Sequence, residues 1–205
     1  MDRPSSKLAF IDCETTGLPA TRHFSVEDVS GWPRLVQIAW AVFDISGRPL
    51  ETRCHIIRPV GFIIPRDATL IHGISQARAV RSGEDLERVL TDFLRTIEQP
   101  GTTLVAHNLN FDLGVIGGEL VRMNIPPRFF DLPGICTMKE TTDLCRLPRP
   151  WGDGFKWPTL EELHEHLFGG PYDHPHDAGS DVEACAKCFF ELRRTGWISF
   201  ADEGI

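Results

Sequence analysis

The sequence predicts an α/β domain, a mixed β-sheet with helices on its faces. Three observations carry that expectation. A short apolar run opens the chain, two longer strand-like runs joined by a turn signal follow it, and from there amphipathic helical periodicity alternates with buried strands. With 205 residues and 41% hydrophobic content the chain can bury one core, so a single domain over 1–205 with an ordered core at about 7–196 is expected.

The opening strand is Lys7-Leu8-Ala9-Phe10-Ile11, bounded by polar residues and followed by a turn at Gly17. A polar stretch from Pro19 to Pro33, with Arg22, His23, Glu27, Asp28 and Gly31, reads as a surface loop. Leu35 to Phe43 is nearly all apolar, and Leu50 to Ile57 follows it after Ser46-Gly47, which makes a hairpin and, with the first strand, a three-stranded antiparallel unit. Pro59 and Pro65 close the hairpin, and Asp67 to Gly73 looks like a short helix stopped by its glycine. Between Ser82 and Gln99, apolar residues at 86, 89, 90, 93, 94 and 97 mark an amphipathic helix, with Ser82 as its expected cap.

Thr103 to Ala106 reads as a buried strand that delivers His107 to Asp112 at its end. A helix from about Asn110 to Met123 puts Asp112 in its first turn, where a negative charge suits the helix dipole. The proline-rich middle, 126–158, permits only a helix around Met138 to Cys145; its aromatics Phe129, Phe130, Trp151, Phe155 and Trp157 suit a core or a stacking surface, with core preferred. Thr159-x-x-Glu162 has capping-box spacing ahead of a helix that buries Leu160, Leu163 and Leu167 and ends at Gly169-Gly170. Ser180-x-x-Glu183 has the same spacing ahead of a last helix that faces Val182, Cys185, Phe189 and Phe190 inward, with Arg193 and Arg194 in its final turn. His164 and His166 are expected to be solvated.

Composition narrows the function classes. A net charge of −8 lacks the basic stripe usual in nucleic-acid binders, and it predicts modest, salt-sensitive affinity for long polyanions. Six cysteines without a framework rhythm read as reduced thiols. Met1 to Ser6 has no apolar core of a signal peptide and no run reaches transmembrane length, so a cytoplasmic, soluble protein without a membrane partner is expected.

The chemistry begins at Asp12 and Glu14. Residues i and i+2 of a strand share a face, roughly 7 Å apart along the backbone, and two close carboxylates repel unless a cation lies between them. Oxygen ligands of this kind suit a hard divalent ion. The turn from His107 to Asp112 also falls at a strand end, and ligands gather at strand ends in such sheets. A rival set, His174, His176, Cys185 and Cys188, could be drawn as a zinc site, but Cys185 falls on the buried stripe of its helix.

Asp12-x-Glu14-Thr15-Thr16-Gly17-Leu18, His107-Asn108-x-x-Phe111-Asp112 and His176-Asp177-Ala178-x-x-Asp181, in that order, resemble the motifs of DnaQ-like exonucleases of the DEDDh class. Leu35 to Ala39 and Ile71-His72-Gly73-Ile74 look like that family's connecting pieces. A neighbouring subclass carries a tyrosine four residues before the last aspartate; here that position is Asp177, and Tyr172 lies nine residues before Asp181, so the histidine subclass fits.

The resemblance implies a ribonuclease H-like fold with a five-stranded mixed sheet, and 3'-to-5' removal of nucleoside 5'-monophosphates from single-stranded DNA or RNA ends. It implies two divalent cations, Mg²⁺ or Mn²⁺, held by Asp12, Glu14, Asp112 and Asp181. Asp12 would bridge both, Glu14 and Asp181 would hold the water-bearing ion, and Asp112 would support the second. His176 would act as general base, a task suited to an imidazole's ordinary pKa of about 6.5. Thr15, Leu18, Asn108 and Phe111 would meet the terminal nucleotide, Leu18 as a wedge, and His107 is equally a site or a structural residue. With few residues after the last helix, no polymerase-tethering tail is evident, and a homodimer stays open. An inactive binding module is the alternative from another class.

Overall fold

The computed structural model describes residues 6–20 and 25–199; Arg22 and His23 and both chain ends lie outside the described residues. The opening strand, β1 (Lys7–Thr15), runs past its apolar stretch, so Asp12 and Glu14 are strand residues themselves. β2 (Leu35–Asp44) pairs antiparallel with β1, placing Gln37 opposite Glu14, and β3 (Pro49–Ile56) pairs antiparallel with β2. On its other side β1 pairs in parallel with β4 (Thr102–Ala106), and β4 with the three-residue β5 (Gly134–Cys136). The sheet order is β3-β2-β1-β4-β5, the mixed five-stranded arrangement expected.

Eight helices complete the described chain: α1 (Arg66–His72), α2 (Gln76–Ser82), α3 (Leu86–Ile97), α4 (Leu109–Arg122), α5 (Thr137–Glu140), α6 (Thr142–Cys145), α7 (Leu160–Phe168) and α8 (Ala178–Arg194). Alternation along β1 divides the core into two layers. Ala9, Ile11 and Cys13 pack with Trp40, with Val89, Leu90 and Phe93 of α3 and with Val115, Ile116 and Leu120 of α4. Leu8 and Phe10 pack on the opposite face with Leu160 and Leu163 of α7 and Val182, Cys185 and Phe189 of α8. Burial on both faces is why the strands read as continuous apolar runs.

Several local expectations change. Ser82 does not cap the amphipathic helix: it is the last residue of a separate helix, α2, and Asp85 caps α3 by accepting from Arg88 N (3.0 Å). Ser180 is not the cap of α8; Asp177 is, accepting from Ser180 N at 3.2 Å. The helix expected over 138–145 is two short helices, α5 and α6. The capping box at Thr159 and Glu162 is present. Of the aromatic group only Phe129 is fully buried, while Phe130, Trp151 and Trp157 are exposed. His164 is buried, not solvated, and is hydrogen-bonded to Gly170 O (2.8 Å) and Lys187 Nζ (3.1 Å).

Candidate active site

β1 and β4 stay paired only as far as Phe10 and Val105. Beyond that register the two strand ends part, and the crevice that opens is where ligands bind in such sheets. Asp12 and Glu14 continue the Leu8 and Phe10 face, toward the layer in which α8 begins; Asp181 lies in the first turn of α8, buried. Asp112 enters from the first turn of α4 and is also buried. All four acids line one cleft of about 570 Å³, together with His176, Thr15, Leu18, Asn108, Phe111 and His107.

Backbone geometry shapes the rim. His176 is exposed and has a left-handed backbone (φ 64), as has His174 (φ 54), and Asn108 at the start of α4 has φ 87. Such conformations are costly for residues with a side chain and tend to cluster at functional sites. Here the turn aims the His176 N–H at Asp181 Oδ2 (3.1 Å). A ring nitrogen of His176 and carboxylate oxygens of Glu14 and Asp181 lie within 4.8 Å of one another, the one group of three or more metal-competent side chains among the described residues. Cys185 and Cys188 of the rival zinc set are instead buried in the apolar layer between α8 and the sheet.

The electrostatics follow from the crowding. Burial, and then the charges of Asp112, Asp181 and Glu14, push the Asp12 carboxyl well above the usual carboxylate range. Burial also raises Asp112, against hydrogen bonds from its own main chain and from Cys13. Glu14 is raised to about 8, by burial first and by Asp181, Asp112 and Asp177 after it. Asp181 is raised by burial as well, opposed by Tyr172 and His176. Four carboxyls raised chiefly by burial, three of them also by one another's charges, form a donor set that divalent cations would relieve, and oxygen ligands fit hard ions such as Mg²⁺ or Mn²⁺.

Some residues at the cleft were missed or left open by the sequence. Tyr172 donates its hydroxyl to Asp181 Oδ1 at 2.6 Å. Gln37 clamps the start of α8: its Nε2 donates to Asp177 Oδ2 (3.1 Å) and its Oε1 accepts from Ala178 N (3.1 Å). The signal for Gln37 was available, as a lone amide in the otherwise apolar Leu35 to Phe43 run. Ile71 and His72, read only as a connecting piece, line the cleft. His107 is held at both ring nitrogens, by Thr137 Oγ1 (3.0 Å) and Pro158 O (2.9 Å), and burial lowers its pKa to about 4, which marks it as a neutral strut.

The sheet and its acid cluster define the ribonuclease H-like class. Within it the chain belongs to the RNase_T exonuclease family, whose sequence model matches residues 9–189, and it carries a DnaQ-like exonuclease domain. It is 31% identical over 186 residues to the 3'-5' exonuclease DinG of Bacillus subtilis, a match covering 91% of this chain and 17% of that relative. It is 29% identical over 208 residues to the PolC-type DNA polymerase III of Lactococcus lactis, covering 98% of this chain and 11% of that one. Among solved structures, the fold matches the zinc-bound E. coli exonuclease I–single-stranded DNA complex (TM-score 0.74, 22% identity, 93% of this chain and 41% of that one). The complex of the same enzyme with a dT13 oligonucleotide matches similarly (TM-score 0.73, 23% identity, 93% and 41%). This chain thus spans a minor part of each of these proteins. Among the described residues no helix is long and apolar enough to cross a membrane.

Proposed function

We propose that residues 1–205 form one exonuclease unit of the DEDDh type, which removes nucleoside 5'-monophosphates from the 3' ends of single strands, DNA in preference to RNA. The observation that carries this reading is the convergence of Asp12, Glu14, Asp112 and Asp181 with His176 on one cleft. The DinG relative, a 3'-5' exonuclease, supports the direction of attack, and the exonuclease I complexes with single-stranded DNA and dT13 support the substrate.

Asp12, Glu14, Asp112 and Asp181 would hold two divalent cations, Mg²⁺ or Mn²⁺. When bound, the cations supply neutralisation of the phosphoryl oxygens and acidification of a water. His176, exposed on its strained turn beside Glu14 and Asp181, takes the proton of the attacking water. The water oxygen bonds to phosphorus, the bond from phosphorus to the 3'-oxygen breaks, and that oxygen leaves with the shortened strand. Leu18, 85% exposed at the rim, would wedge against the terminal base, and Thr15, Asn108 and Phe111, which line the same cleft, would meet the nucleotide.

The test is digestion of 5'-labelled DNA and RNA oligonucleotides. Ladders shortening from the 3' end are expected with Mg²⁺ or Mn²⁺ and none in EDTA, with rates at least about 100-fold lower in Asp12→Ala and His176→Ala. Undiminished activity in EDTA or in Asp12→Ala refutes the mechanism. Faster digestion of RNA would reverse the sugar preference and leave the mechanism standing.

A further inference from the structure

A formal charge of −8 raises the question of what holds a polyanion beyond its terminal nucleotide. A small hairpin outside the cleft has the required chemistry. Pro148 and Phe155 bridge antiparallel, Lys156 N donates to Leu147 O (2.8 Å), and Arg149 N donates to Gly154 O (3.3 Å). The turn uses Gly152 (φ 79) and Gly154 (φ 93), in conformations that favour glycine. On this turn Trp151 is 89% exposed, and after the hairpin Trp157 is 52% exposed. Two indoles left in water beside a hydrogen-bonded hairpin are candidates for a binding surface.

Their neighbours are cationic. Between Arg146 and Trp157 the sequence carries three cations, Arg146, Arg149 and Lys156, against one acid, Asp153. Lys156 is held by Glu162 at 2.5 Å and contributes little. Arg146 donates its Nε to Asp143 O (3.2 Å) and Arg149 its Nε to Phe155 O (3.0 Å), and neither forms a salt bridge among the described residues. Each guanidinium is therefore oriented by main chain while its terminal nitrogens stay available for phosphate. The foot of the segment is fixed to the cleft: Pro158 O accepts from His107, which lines the cleft itself.

We propose that this hairpin is the track that grips the single strand upstream of the terminal nucleotide, with Trp151 and Trp157 stacking on unpaired bases and Arg146 and Arg149 contacting phosphates. Aromatic stacking accepts any base, as a sequence-indifferent trimming enzyme requires, and arginine supplies positive charge on a chain whose net charge is −8. The inference rests on the exonuclease reading of the adjoining cleft.

The test compares two substrates, a single-stranded oligonucleotide of about 15 nucleotides and the p-nitrophenyl ester of thymidine 5'-monophosphate, which has no upstream nucleotides. Trp151→Ala is expected to raise KM for the oligonucleotide about 5- to 100-fold, with kcat and ester hydrolysis unchanged. Arg149→Gln should lower the slope of log affinity against log salt by about 0.7. Fluorescence anisotropy of the labelled oligonucleotide in EDTA repeats the comparison without turnover. An unchanged oligonucleotide KM and affinity in Trp151→Ala overturns the track, as does an equal loss on both substrates, which would make the hairpin a support for the cleft. If the wild type hydrolyses neither substrate but Trp151→Ala still weakens binding, the exonuclease reading fails and the track stands.

Discussion

Tyr172 and His176 between them occupy both oxygens of Asp181, the hydroxyl on Oδ1 and the main-chain N–H on Oδ2. The tyrosine ring rests 5.4 Å from His164, which is itself hydrogen-bonded, so the hydroxyl is delivered by packing and not by the carboxylate it serves. Burial and the neighbouring Asp181 hold the phenol above its ordinary pKa, so it stays a donor. Tyr172→Phe keeps the ring and removes the donor. It is expected to weaken Mn²⁺ binding by about 10-fold, read by calorimetry, with little change in melting temperature; unchanged affinity would mean the loop alone orients Asp181. Nothing in the sequence marked this contact, because the nine-residue separation crosses an irregular loop. By contrast the shared face of Asp12 and Glu14 was legible at once, since strand geometry alone puts i and i+2 on one side, while their partners came only from the later motifs. His164 was misjudged because spacing on a helix says which way a residue points, not whether a neighbouring loop covers it.

At the scale of elements, α4 carries Asp112 and depends on close packing that its apolar periodicity does not reveal. A Cβ on Gly114 would lie 2.0 Å from the Trp32 ring, and one on Gly117 would lie 2.6 Å from Val26. Gly114→Ala is expected to destabilise by about 1–3 kcal/mol, lowering the midpoint of urea unfolding, and to depress activity by displacing Asp112. A wild-type midpoint would show that Trp32 can move aside without cost. The two caps were misplaced for a shared reason: Ser, Asp and Glu recur every few residues near both helix starts, and several fit the capping pattern. At α8 the choice is made by Gln37 on a distant strand, which holds Asp177 and Ala178. β5 was not placed because three residues are too few to show a period.

For the whole molecule, the acid cluster makes stability depend on pH in a direction opposite to most carboxylates. Glu14 moves from 4.5 to about 8, so between those values the native state binds a proton that the unfolded chain releases. Stability of the cation-free protein should therefore fall as pH rises through that window, with Asp12, Asp112 and Asp181 raised in the same sense. Asp44, lowered to about 2 by hydrogen bonds from Ser46 and Arg48, acts oppositely and only at lower pH. His107, lowered to about 4 by burial, also acts oppositely between about pH 4 and 6.5, so melting temperature in EDTA is expected to decrease from about pH 6.5 to 8, and Mg²⁺ at 100 times its Kd to restore about 2.7 kcal/mol at the upper end. A flat profile in EDTA would mean the four acids are solvated independently. The mixed five-stranded sheet, though not its strand order, and the acids that line one cleft were legible through three motifs in sequence order. The hairpin at Trp151 was not, since prolines and glycines announce a turn without saying whether its aromatics face inward.

The clamp from Gln37 to the start of α8 joins residues 141 positions apart, and it sets the order in which the protein becomes competent during synthesis. Within this domain β1, with Asp12 and Glu14, is made before Asp181 at the start of α8. A nascent chain can therefore build its sheet while it has no nuclease centre. On the proposed reading, competence waits for α8 to dock on β2, and a chain truncated before Asp177 would lack Asp181 and with it one of the four acids of the cleft.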